Sequence, residues 1–448
     1  MIAPIELASW YPALLGAERK LVLAGRKPVV TGRELVMTER KLDLAGRELV
    51  VAARDAMLGE RDVLVHSGRR RPACPPGARV QRWSCFPGTG GGFVLLDAEH
   101  RCVFRAGTRL LPGGRKWTRL AGRLVRASSH LGLHAQLAPR TLALVDRPPS
   151  PELALHRRFA GLPADLAWNV ASGVPGRDQK TIVQLTTLSG EVVAYAKLGT
   201  SPHARACVTR EAAVLERLRS LDVDAPRAFG CETTASSNLL VQSALDGERA
   251  PGVLGAAHWH FLDSLERATG TALPLERIPS HLATLARLRA LATRADAAWL
   301  ASANELANAL RLAAGARPLP CALAHGDFTP WNVVVAGPRA RAFDWEHARD
   351  LAPALFDALH FTLQQAVLVD RVPHGELHGL LEARTRGSAD ADWLVHLGAY
   401  LLDLAVSDEQ MQLEQRSPFV QVEWLRTGRL ALMRELVQRF AARGARAA

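Results

Sequence analysis

The chain has 448 residues, 48% of them hydrophobic and 22% charged, which is enough apolar material for about two or three globular domains and too little polarity for disorder over most of its length. Lys and Arg outnumber Asp and Glu by 56 to 44, but the excess is mostly dispersed arginine, with no dense basic block or aromatic-interleaved stripe, so a nucleic-acid partner is not expected. No run of about 18 apolar residues calls for a membrane span, the start lacks the pattern of a secretory signal, and six cysteines without CxxC spacing fit free thiols; a cytoplasmic location is expected.

In chain order, Arg19, Arg26, Arg33, Arg40, Arg47 and Arg54 recur every seven residues beside short Leu/Val clusters. Gly25, Gly32 and Gly46 interrupt that period and Pro28 removes a backbone donor, so a continuous coiled-coil helix is poorly supported. Short β segments alternating with turns are the competing reading, and no chemistry attaches to either. The stretch from Gly59 to Gly77 reads as a linker or exposed loop. Gly88, Gly90, Gly91 and Gly92 then precede an apparent hairpin over 93–106. A phosphate-cradling loop would need a following Lys-Ser/Thr opening a helix, or a strand before and a helix after; neither is evident, so a turn ahead of two strands is expected. Helical signals run from Lys116 to Leu137, and Arg147 to Pro151 mark a boundary.

Beyond it, Thr181–Leu188 and Val192–Leu198 are apolar β-rich runs flanking Ser189 and Gly190, a hairpin ending near Lys197. A helix is predicted over about Ala204–Leu221, and a strand over Asn238–Leu245. Amphipathic helical segments dominate from Ser280: about 280–296, 298–314, 351–369, 391–405 and 420–443, with a polar loop at 407–419.

The most chemically demanding stretch is Cys321–Glu346, CALAHGDFTPWNVVVAGPRARAFDWE. Gly326 and Pro330 make the segment holding Asp327 and Asn332 a loop. Val333–Val335 then read as a strand, Gly337-Pro338 as a turn, and Arg341–Phe343 as the return strand, bringing Asp344 back beside Asn332. A carboxylate and an amide so placed are hard oxygen ligands suited to Mg²⁺. Asp327, at the loop apex, is left to accept the proton of an attacking hydroxyl.

His-Gly-Asp, four residues, Asn, then Asp-Trp-Glu after a hairpin resembles the aminoglycoside phosphotransferase and choline kinase-like family, small-molecule relatives of the protein kinases. The resemblance covers roughly the last two thirds of the chain, with its specific motifs confined to Cys321–Asp357. It implies an α+β, two-lobed kinase-like fold with ATP and Mg²⁺ between the lobes: an accessory region of uncertain fold over 1–150, a nucleotide-binding lobe over 151–250, and a helical lobe carrying the catalytic loop over 251–448. By the same resemblance Asp327 is the base, Asn332 and Asp344 are the metal ligands, and His325 and Asp357 brace the loop. Lys197 would pair with nucleotide phosphates and Glu211 with Lys197, Glu216 being the other candidate. Gly173 and Gly176 match the position of the nucleotide loop, although their spacing departs from the regular glycine pattern, and Ala244 would offer a backbone contact to adenine.

The activity implied is ATP-dependent phosphoryl transfer to a hydroxyl of a small molecule, such as an amino alcohol, an aminoglycoside or a sugar. A catalytically silent kinase-like binding or scaffold module is the alternative.

Overall fold

The computed structural model describes residues 20–24, 41–44, 47–51, 62–67, 79–88, 92–111, 116–134, 140–146, 155–173, 179–221, 223–385, 392–415 and 420–447. The chain is α+β and divides into two units, Met1–Ala212 with Arg227–Ala244, and Ala213–Pro226 with Leu245–Ala448.

The first unit is organised by one twelve-stranded sheet. In chain order its strands are β1 (Lys20–Ala24), β2 (Lys41–Leu44), β3 (Arg47–Val51), β4 (Asp62–Ser67), β5 (Arg79–Pro87), β6 (Phe93–Asp97), β7 (Arg140–Asp146), β8 (Leu166–Ser172), β9 (Lys180–Thr187), β10 (Val192–Gly199), β11 (Ala228–Thr233) and β12 (Asn238–Ser243). Across the sheet they run β11-β12-β10-β9-β8-β6-β5-β7-β4-β1-β3-β2. In the heptad stretch the described residues are strands, the β alternative; of the six arginines only Arg47 falls on one, and the other five lie outside the described residues. The sheet carries across the expected boundary near residue 150, because β6 pairs with β8 through Val94↔Ala171 and Leu95↔Val170. Residues 147–151 themselves lie outside the described residues.

The expected hairpin over 93–106 is corrected. The glycine cluster joins β5 to β6, with Gly88 N–H donating to Gly92 O at 2.8 Å, and after β6 the chain turns into helix α1 (Arg101–Gly107) instead of a second strand. The cause is Asp97, whose Oδ1 accepts the backbone N–H groups of Glu99 and His100 at 2.8 and 2.6 Å, closing an Asx-type turn that ends the strand and starts a helix. Gly90 and Gly91 lie outside the described residues. Helix α2 (Lys116–His130) follows, shorter than its sequence signal. The β9–β10 hairpin forms around Ser189-Gly190 as expected; Gly190 has φ +94°, and a Cβ there would stand 2.9 Å from the Cys102 carbonyl oxygen. Helix α3 (Pro202–Ser220) starts after β10.

The second unit surrounds two small sheets with helices. One sheet orders β13 (Glu248–Arg249), β16 (Val333–Ala336) and β17 (Arg339–Ala342); the other orders β14 (Thr271–Pro274), β15 (Pro318–Ala324) and β18 (Arg349–Pro353). The helices are α4 (Ala256–Thr269), α5 (Pro279–Ala290), α6 (Ala297–Ala314), α7 (Phe356–Gln364), α8 (Leu377–Arg384), α9 (Trp393–Gln415) and α10 (Val420–Ala447). The apolar faces of α5 to α10 meet in one core that includes Trp299, Leu306, Phe356, Tyr400 and Met433. Two expectations are corrected. Residues 351–353 extend β18 before α7 begins, because Cys321↔Pro353 and Ala322↔Ala352 complete the sheet around β15. Residues 407–415 continue α9 instead of forming a loop: Glu, Gln, Met and Leu favour helix there, with neither Gly nor Pro before Pro418, and Asp408 pairs with Arg429 of α10. Cys85, Cys102, Cys207, Cys231 and Cys321 are free thiols.

Candidate active site

The loop between β15 and β16 holds the site in the second unit. Its geometry starts with Gly326, where φ is +82° and a Cβ would stand 2.0 Å from the His347 carbonyl oxygen, so only glycine fits. The N–H groups of His325 and Gly326 are then taken by one side chain, Asp357, whose Oδ2 and Oδ1 accept them at 2.7 and 3.0 Å. Asp357 is 3% exposed in the first turn of α7, and burial pushes its carboxyl above the ordinary range against the pull of those donors.

His325 is fully buried. Its Nε2 lies 2.9 Å from the Phe343 carbonyl oxygen and its Nδ1 accepts the Asp327 N–H at 3.3 Å, so the ring is the neutral Nε2–H tautomer. Burial lowers its pKa, in keeping with that assignment. It therefore ties the loop to the end of the β16–β17 hairpin. Beneath it, Phe328 stacks on Phe261 with centroids 5.7 Å apart and rings 4° from parallel, and Trp345 lies 4.5 Å from the His325 ring while donating Nε1–H to Ala342 O at 3.0 Å. This apolar floor excludes water from the backbone face of the loop.

Asp327 is held from two sides. Asn332 Nδ2 donates to its Oδ2 at 2.8 Å and to its backbone oxygen at 3.0 Å. His360 Nε2 lies 3.1 Å from its Oδ1, and Tyr400 Oη lies 3.2 Å from His360 Nδ1. The hairpin brings Asp344 to the Asn332 side: the Phe343 N–H donates to Asn332 O at 3.0 Å, and β16 pairs with β17 from Val333↔Ala342 to Ala336↔Arg339. Gly337, with φ +59°, supplies the positive dihedral of the two-residue turn. Asp344 itself is left-handed at φ 73° and ψ 56°, an uncommon state for a non-glycine residue that is found at ligand clamps. A carboxylate oxygen of Glu346 lies within 4.8 Å of one of Asp344, and Glu346 is 5% exposed. Asn332 Oδ1 and these two carboxylates are a hard oxygen donor set, which fits a divalent cation such as Mg²⁺.

In the first unit, Lys197 on β10 places Nζ 2.6 and 2.8 Å from the two carboxylate oxygens of Glu211 on α3. Both are buried, at 5% and 0% exposure. Glu216, the alternative partner, instead pairs with Arg219 on the exposed face of the helix. Gly173 closes the β8–β9 connection, its N–H donating to Lys180 O at 2.8 Å; Gly176 lies outside the described residues. The N–H of Ala244 donates to Val193 O at 2.9 Å.

Sequence reasoning missed Glu346, His360 and Tyr400. For His360 a signal existed: it lies three residues after Asp357 and hence on the same helix face, one turn along.

Residues 178–396 match the model of a phosphotransferase enzyme family. Three of the solved structures to which the chain is similar illustrate the likeness. One is a choline/ethanolamine kinase family protein from Mesorhizobium loti, at 17% identity over 58% of this chain and 86% of that one, with a TM-score of 0.41. Another is a thermostable mutant of aminoglycoside phosphotransferase APH(4)-Ia in complex with ADP and hygromycin B, at 17% identity over 64% and 98% of the two chains, TM-score 0.43. The third is aminoglycoside phosphotransferase APH(3'')-Id from Streptomyces rimosus, at 18% identity over 56% and 95%, TM-score 0.38. No functionally curated protein matches the chain. Among the described residues, no helix is long and apolar enough to cross a membrane.

Proposed function

We propose that this protein is an ATP-dependent kinase that moves the γ-phosphoryl group to a hydroxyl of a small molecule, an amino alcohol, aminoglycoside, sugar or similar acceptor. The observation that carries the reading is the clamped carboxylate of Asp327, fixed by Asn332 and His360 yet 33% exposed, on a loop whose backbone N–H groups are already satisfied by Asp357.

In this reading Asp327 orients the acceptor hydroxyl and takes its proton as the O–P bond forms and ADP departs with the electrons of the broken bond. Fixing a base that needs no reorganisation lowers the barrier by positioning. Asn332 does double duty: its Nδ2 holds Asp327, and its Oδ1 would be a ligand of the metal together with the carboxylates of Asp344 and Glu346. Bound Mg²⁺ would supply charge neutralisation on the transferring phosphate oxygens. Lys197, kept straight by Glu211, is the phosphate-binding group of the first unit; Gly173, Gly176 and the Ala244 carbonyl are proposed contacts to the rest of the nucleotide.

Asp327→Ala tests this division of labour. It is expected to bind ATP as the wild type does while losing turnover, by roughly a thousandfold or more for a base removed from a positioned site. Retained phosphoryl transfer would remove Asp327 from the base role.

A further inference from the structure

We propose that His360 is a positioning residue for the reaction, acting as a neutral imidazole that donates Nε2–H to Asp327, with Tyr400 locking that tautomer from behind. The inference rests on the phosphotransferase reading for its kinetic consequence, and for the proton arrangement on the groups that face the two ring nitrogens.

Asp327 Oδ1 lies 3.1 Å from His360 Nε2, and an ionised carboxylate can only accept, so Nε2 carries the hydrogen. In a neutral ring Nδ1 is then an acceptor, and the group facing it at 3.2 Å is Tyr400 Oη, whose O–H is able to donate to it. Burial raises the Tyr400 pKa, which keeps that hydroxyl protonated and able to donate. The three groups form one chain with a single direction: Tyr400 O–H to Nδ1, Nε2–H to Asp327.

Both supporting side chains are held rigidly. His360 is 5% exposed on α7, whose Asp357 one turn earlier grips the loop backbone, so the same helix fixes both the loop and its carboxylate. Tyr400 is fully buried on α9, edge-on to Phe356 at 5.1 Å and to the His360 ring at 5.9 Å. Three residues further along α9, Asp403 accepts from Thr284 and Arg287 on Oδ1, at 2.5 and 2.6 Å, and from Arg349 on Oδ2 at 2.6 Å. Those ion pairs set the register of α9 and hence the place of the Tyr400 hydroxyl.

The advantage of a neutral donor is chemical. An imidazolium beside Asp327 would stabilise the carboxylate and weaken it as a base, whereas a neutral N–H orients Oδ1 and leaves most of its charge available for the acceptor proton. The proton taken from the acceptor goes to Asp327; His360 keeps its own throughout.

The test uses the full chain labelled with ¹⁵N-histidine. The expected spectrum of the wild type shows His360 with a protonated Nε2 and an unprotonated Nδ1, and Tyr400→Phe, which removes one oxygen and no packing, shifts Nδ1 and mixes the tautomers. A wild-type His360 carrying a hydrogen on Nδ1, alone or together with one on Nε2, or an unchanged ring in Tyr400→Phe, overturns the proposal. With Mg-ATP and a hydroxylated acceptor, His360→Leu is expected to lower kcat roughly 10- to 100-fold at unchanged KM for ATP, and His360→Gln, which keeps an N–H near the Nε2 position, to recover part of it. Unchanged kcat in a folded His360→Leu overturns it too. Absence of turnover in the wild type contradicts the kinase reading instead, and the spectra still decide the tautomer.

Discussion

Asn332 donates its side-chain N–H to two oxygens of one residue, the backbone oxygen and the Oδ2 of Asp327, at 3.0 and 2.8 Å. The contact couples the proposed base to a proposed metal ligand through one amide. Asn332→Ala removes both functions at once. It is expected to lower kcat/KM by about a hundredfold or more and to raise the Mg²⁺ concentration needed for half-maximal activity, measured by titrating the metal at fixed ATP. A fall in kcat with an unchanged Mg²⁺ requirement would leave Asn332 as a clamp only.

The Lys197–Glu211 pair is buried at both ends, so its two halves are unequal to a mutation. Glu211→Ala takes a bidentate carboxylate partner away from a buried ammonium and is expected to cost about 3–5 kcal/mol in urea denaturation. Lys197→Met together with Glu211→Leu keeps volume and removes both charges, and is expected to be far closer to wild type in stability while binding ATP weakly. If the double variant binds ATP normally, Lys197 has no part in the nucleotide site.

Acid is expected to unfold the protein partly through histidine. Burial drops the His281 imidazole from 6.5 to about 4, and His325 is lowered for the same reason. Between about pH 6.5 and 4 the unfolded chain binds protons that the folded chain refuses, so stability present above pH 6.5 is lost as pH falls through that window. For His281 alone the loss amounts to roughly 3 kcal/mol. Asp357, raised by burial, titrates with the opposite sign, so the informative comparison is between variants. His281→Leu should flatten the acid limb of stability against pH; an identical limb would mean that His281 is protonated in the folded state.

Gly326 is the backbone hinge of the site. Gly326→Ala would drive a Cβ into the His347 carbonyl at a left-handed position, with an expected loss of about 2–3 kcal/mol or more and a larger loss of activity, since Asp327 is the next residue. Wild-type thermal stability and turnover in Gly326→Ala would show that the loop relaxes at no cost.

The β16–β17 hairpin was legible because its signals are local: Val333–Val335, Gly337-Pro338 and the His-Gly-Asp run each act within a few residues, and the fold reproduces them. The β9–β10 hairpin was legible for the same reason. What escaped is long-range. Tyr400 lies 40 residues beyond His360, in a helix whose apolar face gives no hint of a hydroxyl aimed at an imidazole. The 93–106 segment misled because the turn made by the Asp97 side chain overrides a strand-like run. Polar residues 407–415 read as a loop although their helix propensity is high and Asp408 finds a partner in Arg429 on α10, a contact no local pattern announces.

The central claim is a metal-dependent nucleotide site, and calorimetric titration of ATP with and without Mg²⁺ tests it most directly, on the wild type and Asp344→Ala side by side. The account predicts ATP binding strengthened by Mg²⁺ in the wild type, and loss of that metal dependence in Asp344→Ala while the variant stays folded. No ATP binding to the wild type, or equal Mg²⁺ dependence in both proteins, would contradict it.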